Sequence, residues 1–146
     1  MLDVSKMIAR LRMDMSMFNI AANLTDEQFA YFFIIGLERF YNATGQGYEN
    51  VDALLIYDPL TEELISVDRD FSTIERSYVL VCAKIAIGKW AQANKAELVS
   101  YTTDALSVAH GDKPFKNITE MVGALEQERR ELHYKLREAM ASGISI

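Results

Sequence analysis

Two capping boxes, each directly ahead of an apolar run, constrain this chain more than any other feature. Thr25 with Gln28 and Ser72 with Glu75 place a hydroxyl and a carboxamide or carboxylate three residues apart, the spacing that satisfies the free amides of a helix start reciprocally. Helices are therefore predicted from Asp26 and from about Thr73. In the first, Phe29, Phe33, Leu37 and Phe40 share one face, while Phe32, Ile34, Ile35 and Tyr41 widen the apolar girth, so burial on more than one side is expected. Fully burying four such side chains at about 2 kcal/mol each would make this helix a centre of the core. It should end at Thr44-Gly45-Gln46-Gly47, where glycine permits the left-handed terminating conformation.

In the second run Ile74, Tyr78, Val81, Ile85 and Gly88 keep helical register to about Asn94. Gly88 beside Trp90 predicts a close approach by another backbone. Two further helices flank this pair. Val4, Ile8, Leu11, Met15 and Phe18 recur at three- and four-residue steps and predict a first helix over that span. Its Met7, Met13, Met15 and Met17 read as packing residues or as an adaptable binding surface. A last helix, capped by Asn117 or Thr119, carries Ile118, Leu125, Leu132, Leu136 and Met140 inward, with Glu126, Arg130, Glu131 and Lys135 among its outward charges.

Between these helices the pattern is weaker. Asn50 to Tyr57 is predicted as a short helix stopped by Asp58-Pro59, and Glu63 to Val67 as a short extended piece. Val99 to Ala109 has no clear period, and Gly111-Asp112-Lys113-Pro114 reads as a turn. The expected fold class is thus all-α: a small bundle of about four main helices in one domain over residues 1–146. An extended or irregular arm over 99–116 joins the last two.

With 146 residues, half of them hydrophobic, the chain can bury a real core. Its formal net charge of -6 gives little support to general binding of a phosphate backbone. The acidity is uneven: nearly half of the acidic residues lie from Asp26 to Asp70, where only Arg39 and Arg69 oppose them. Such asymmetry belongs to a solvated face or to one that steers a partner. Cys82 is the single cysteine, so no intrachain disulfide or cysteine zinc cluster is expected, and a reducing compartment is the natural setting. Charges at Asp3, Lys6, Arg10 and Arg12 interrupt the N-terminal apolar residues, and the run from Phe29 to Leu37 is too short to span a bilayer. A soluble intracellular product without membrane contact is expected.

No chemical constellation rises above chance. His110, Asp104 and Ser100 or Ser107 have the residue types of a nucleophilic triad without a nucleophile elbow. Asp68-Arg69-Asp70-Phe71-Ser72 opens like a calcium loop, but Thr73 stands at the glycine position and Val79 at that of the bidentate glutamate. Asp58, Glu62, Glu63, Asp68 and Asp70 lack a fixed carboxylate spacing for magnesium. Gly45-Gln46-Gly47 follows a helix and lacks the ending of a phosphate loop. Cys82, inside Val79-Leu80-Val81-Cys82-Ala83, is expected to be inert, and His133 partly exposed. No catalytic set, metal centre or cofactor is expected.

The succession LTDEQFAYFFIIGLERFYNATG, then SYVLVCAKIAIGKWAQANKAELVSYTTDALSVAHGDKPFKNI, then a charged terminal helix resembles the head-to-tail connector, or adaptor, proteins of tailed bacteriophages. The likeness covers about three quarters of the chain and is one of helix order and character. The Met-rich first helix and the Tyr48 to Asp70 stretch depart from it, which leaves open the partner contacted and which neck component this is. The resemblance implies a structural virion protein that forms a dodecameric ring below the portal protein and extends the DNA channel. It would receive the tail or a stopper protein, and it would be found in the virion neck and, during assembly, in the host cytoplasm. Passing DNA would be met without sequence-specific binding, the acidic middle keeping it from sticking. On that likeness the interaction residues are Tyr101, Thr102, Thr103, Asp104, Leu106, His110, Asp112, Lys113 and Phe115, with Ile144 and Ile146 of the tail as a second docking element. The alternative class is a helical regulatory or protein-binding module of a cytoplasmic complex that uses the Met-rich first helix.

Overall fold

Both capping boxes form as predicted. The Gln28 amide donates to Thr25 Oγ1 at 3.2 Å while the Thr25 amide donates to Gln28 Oε1 at 2.8 Å. The Ser72 amide donates to Glu75 Oε1 at 2.8 Å and the Glu75 amide to Ser72 Oγ at 3.2 Å. A computed structural model of the chain describes residues 1–16, 23–93 and 113–141, with 113–117 described by backbone alone. Among the described residues the elements run β1 (Leu2–Asp3), α1 (Val4–Asp14), α2 (Asp26–Ala43), two single 3₁₀ turns (Tyr48–Asn50 and Asp52–Leu54), β2 (Leu55–Tyr57), β3 (Leu64–Val67), α3 (Thr73–Ala93) and α4 (Lys113–Ala141).

The fold is mostly helical, but it is not all-α. A three-stranded antiparallel sheet in the order β1-β3-β2 pairs Leu2 with Val67 on one side and Leu55 with Val67 on the other. The extended piece expected at Glu63 to Val67 is its central strand. The short helix expected from Asn50 to Tyr57 is replaced by the 3₁₀ turns and β2, because Leu55 and Ile56 gain strand partners across the sheet that a one-turn helix could not supply. Asp58-Pro59 then opens the β2–β3 connection, where Asp58 Oδ1 accepts from the Leu60 and Thr61 amides at 2.8 and 3.2 Å.

Helix ends differ from expectation at two places. The first helix stops at Asp14, with Ser16 turning its hydroxyl onto the Met13 carbonyl at 2.7 Å; Phe18, where the sequence expectation ended, lies outside the described residues. The last begins at Lys113, a turn before the predicted caps, and Pro114 is accepted there because first-turn amides have no intrahelical acceptor for its missing N–H to lose. The irregular arm expected over 99–116 therefore gives way to helix at Lys113, and the turn expected at Gly111-Asp112-Lys113-Pro114 yields its last two residues to α4.

Helix α3 is the centre. It is buried nearly all round, through Tyr78 to Ala83, Ile85 to Gly88 and Ala91, and packs against both α2 and α4. Phe29, Phe33, Leu37 and Phe40 of α2 are fully buried, as their shared face predicts. Two glycines set the helix spacing. A Cβ at Gly36 would lie 2.4 Å from the Val79 carbonyl oxygen, so α2 and α3 touch backbone to backbone there. At Gly88 it would lie 2.5 Å from Val122 Cγ2, so the close neighbour is an α4 side chain rather than a backbone. Helix α2 ends as expected, with Gly45 and Gly47 at φ of 78° and 83° and the Gln46 amide returning to the Tyr41 carbonyl at 2.8 Å.

Candidate functional site

An open groove of about 1480 Å³ lies between α1, α2 and the sheet. Helix α1 buries Val4 and Leu11 in the core, with Met15 just past its end, which leaves Ile8 and Met13 along the groove wall. Helix α2 presents Glu27, Tyr31 and Ile34, and the sheet presents Tyr57, Leu64 and Ile65. Tyr31 is 63 % exposed and Met13 75 %, with Tyr57 and Ile65 also open to solvent. These apolar groups share one concavity instead of being scattered singly over the surface.

The groove wall is acidic. Its cations are Arg12 and the Met1 ammonium, and both are engaged: the ammonium pairs with Asp70, while the Arg12 guanidinium pairs with Asp26, donates to the Leu24 carbonyl at 3.2 Å and lies 4.6 Å from the Phe29 ring centre. Glu27, Glu62 and Glu63 are exposed and make no ion pair among the described residues. The uneven acidity of the sequence thus has a location, because four acids of the Asp26 to Asp70 stretch line this groove.

A smaller cleft of about 340 Å³ lies over α3 between α2 and α4, lined by Arg39, Asn42, Tyr78, Cys82, Lys89, Glu126 and Arg129. Partial burial works to raise the Glu126 pKa, but hydrogen bonds from Arg129 (3.0 Å) and Lys89 prevail and hold it below the ordinary carboxylate value. The cluster fastens α4 to α3. Burial pushes the Cys82 thiol up to about 11 and raises the Tyr78 hydroxyl as well. At neutral pH Cys82 is thus a protonated thiol in the core, as its apolar sequence context predicts.

The outward face of α4 divides by charge. Gln127, Arg130, Tyr134 and Arg137 follow one another along one edge, while Glu120, Glu128, Glu131 and Glu138 occupy the other with Lys135. Tyr134 is 65 % exposed. Arg130 donates to Gln127 Oε1 at 2.8 Å, and neither it nor Arg137 has a carboxylate partner among the described residues. His133 is half-buried, its ring 6.1 Å from that of Tyr78.

Of the interaction residues predicted from sequence, Tyr101, Thr102, Thr103, Asp104, Leu106, His110, Asp112, Ile144 and Ile146 lie outside the described residues. So do Ser100 and Ser107. Lys113 and Phe115 belong to the first turns of α4. Among the described residues no group of three or more His, Cys, Asp or Glu converges as metal ligands, and no helix is long and apolar enough to cross a membrane. The calcium-like stretch is occupied otherwise: Arg69 pairs with the buried Glu75 at 2.9 Å, and Asp70 binds the Met1 ammonium, which lowers its pKa. The groove was not singled out by sequence, although Tyr31 and Met13, apolar residues off the main stripes of their helices, were available as a signal. No family model, curated protein or solved structure matches this chain.

Proposed function

We propose that this chain is a non-enzymatic structural protein of a tailed-bacteriophage neck. It acts as an adaptor, built as a small helical bundle, that forms a ring below the portal protein, extends the DNA channel and docks the tail or a stopper protein. The observation that carries this reading is the pair of exposed surfaces with different chemistry, the acidic-walled apolar groove and the cationic edge of α4. A subunit that closes a ring head to tail needs two unlike patches on separate faces, whereas a twofold dimer needs one self-complementary patch. Net negative charge suits a channel along which DNA slides without sticking. The helix order that resembles connector proteins supports the same reading, with the 101–115 segment reaching a neighbouring subunit or the portal.

Mass by light scattering across a concentration series, with negatively stained images, tests the proposal. Rings with a central hole, formed by the protein alone or on addition of portal protein, are the expected result. A species that stays monomeric or dimeric alone and with portal would refute it. A second reading has one specific observation in its favour: Met13 and Ile8 line the groove, as in a helical module that receives an amphipathic partner helix. That reading requires a stable monomer whose groove is filled by another protein.

A further inference from the structure

We infer that the groove between α1, α2 and the sheet is the seat for the cationic edge of α4 from a second copy of this chain. The inference deepens the ring reading and rests on it by assigning the two surfaces that would meet. Charge complementarity commits the groove to this occupant. Its wall carries Glu27, Glu62 and Glu63 without ion-pair partners among the described residues, and Arg130 and Arg137 of α4 are the matching cations without carboxylates. Between the two arginines Tyr134 stands exposed, an aromatic anchor of the kind that fills the apolar centre of an interface. Tyr31, Tyr57 and Met13 offer it an apolar floor.

Size and direction agree. A helix cylinder about 10 Å across occupies roughly 420 Å³ per 5.4 Å turn, so a groove of about 1480 Å³ has room for three turns, the span from Gln127 to Arg137. Glu27 lies nine residues from Gly36, the α2 contact to α3, and nine residues are two and a half turns. Gln127 likewise lies nine residues from both Ile118 and Leu136, the two most deeply buried of the four core residues described in α4. On α3 the contact to α2 at Val79 and the contact to α4 at Gly88 are also nine residues apart, so the groove and the cationic edge face away from α3 in opposite senses. One copy cannot bring its own two surfaces together, and the contact passes from copy to copy.

A charge exchange tests this. One variant carries Arg130→Glu and Arg137→Glu, the other Glu27→Lys, Glu62→Lys and Glu63→Lys; all five positions are exposed, and circular dichroism checks that each variant folds. Wild type should associate with rising concentration in sedimentation velocity, and each variant alone should associate at least tenfold more weakly. An equimolar mixture should recover assembly, because the acidic edge of the first fits the basic groove of the second and the reverse pair restores the native contact. Variants that assemble like wild type, or a mixture that stays dissociated, overturn the inference and leave the ring reading intact. A wild type monomeric at every concentration also overturns it. A charge-sensitive species that never closes into a ring keeps the docking surface and refutes the ring instead.

Discussion

Replacing Gly36 by alanine tests whether α2 and α3 are held at backbone contact. The new Cβ would sit 2.4 Å from the Val79 carbonyl oxygen, 3.2 Å from the Ala83 nitrogen and 3.3 Å from the Val79 carbonyl carbon, all backbone atoms with no rotamer to change. An ordinary C···O contact is about 3.3–3.6 Å, so the helices must part by roughly 1 Å at this point. A gap of that order forfeits about a quarter to a half of each dispersion contact along the seam, and overpacking typically costs about 1–3 kcal/mol. That seam buries Phe29, Phe33, Leu37 and Phe40 against α3, so the loss falls on the largest side chains of the core. Against it stands the higher helix propensity of alanine, about 1 kcal/mol. A net loss of about 1–2 kcal/mol is expected. With a urea slope of about 1.5 kcal/mol/M, the unfolding midpoint should fall by roughly 1 M. Gly123→Ala is the internal control, since nothing lies within 4 Å of its Cβ position, and its midpoint should rise through the same propensity term. A Gly36→Ala midpoint at or above wild type would refute the reasoning.

Gly88→Ala should cost about 1–2 kcal/mol, because Val122 Cγ2 belongs to a β-branched side chain that its helix holds in one rotamer, so α4 must shift instead; Val122→Ala in the same chain should recover part of the loss in a double-mutant cycle. Glu75→Gln should destabilise by about 1–3 kcal/mol, measured by thermal melting, because it weakens the charged bond to Arg69 while that side chain, 28 % exposed, keeps its guanidinium among the Phe40, Tyr41 and Phe71 rings. Cys82 should resist a thiol reagent at pH 8 in the native protein and react on unfolding. Its thiol is protonated in both states below its ordinary value of 9.0, and between there and about 11 the folded state holds more protons. Stability should therefore fall as pH rises through that window, by up to about 2–3 kcal/mol from this group, and Cys82→Ala should shrink the fall measured by urea titration.

The long helices were legible because their signals are local. A hydroxyl and its partner three residues on, together with a 3.6-residue apolar period, lie within a single turn or two, so Asp26 and Thr73 as helix starts follow without tertiary knowledge. The sheet was not legible. Leu2 and Asp3 form a strand only because Val67 and Ser66, more than sixty residues away, supply their partners, and two residues carry no period to read. The groove was hidden for a related reason. Glu27, Glu62 and Glu63 line one groove only once the β2–β3 connection and the start of α2 are folded onto its walls, and in sequence they read as separate solvated charges. Gly36 was missed because a glycine inside an apolar helix is silent until the opposing backbone is known.

The burial of α3 connects fold to proposed assembly. A helix with an apolar stripe on one side leaves its other side for solvent, but α3 is apolar nearly all round and must be covered from several directions. Helices α2 and α4 cover it, and each therefore turns its own outward face away from the shared centre. Had α3 been amphipathic, one of the two could have been dispensed with, and a subunit with two separate helical faces would not follow. The same arrangement makes the faces independent: a substitution at Glu27 or Arg130 leaves the packing of Phe33, Ile85 and Leu125 untouched, so loss of assembly by either should occur without loss of folding stability. Coupled losses of both would place these side chains in the support of the core and deny them a role between copies.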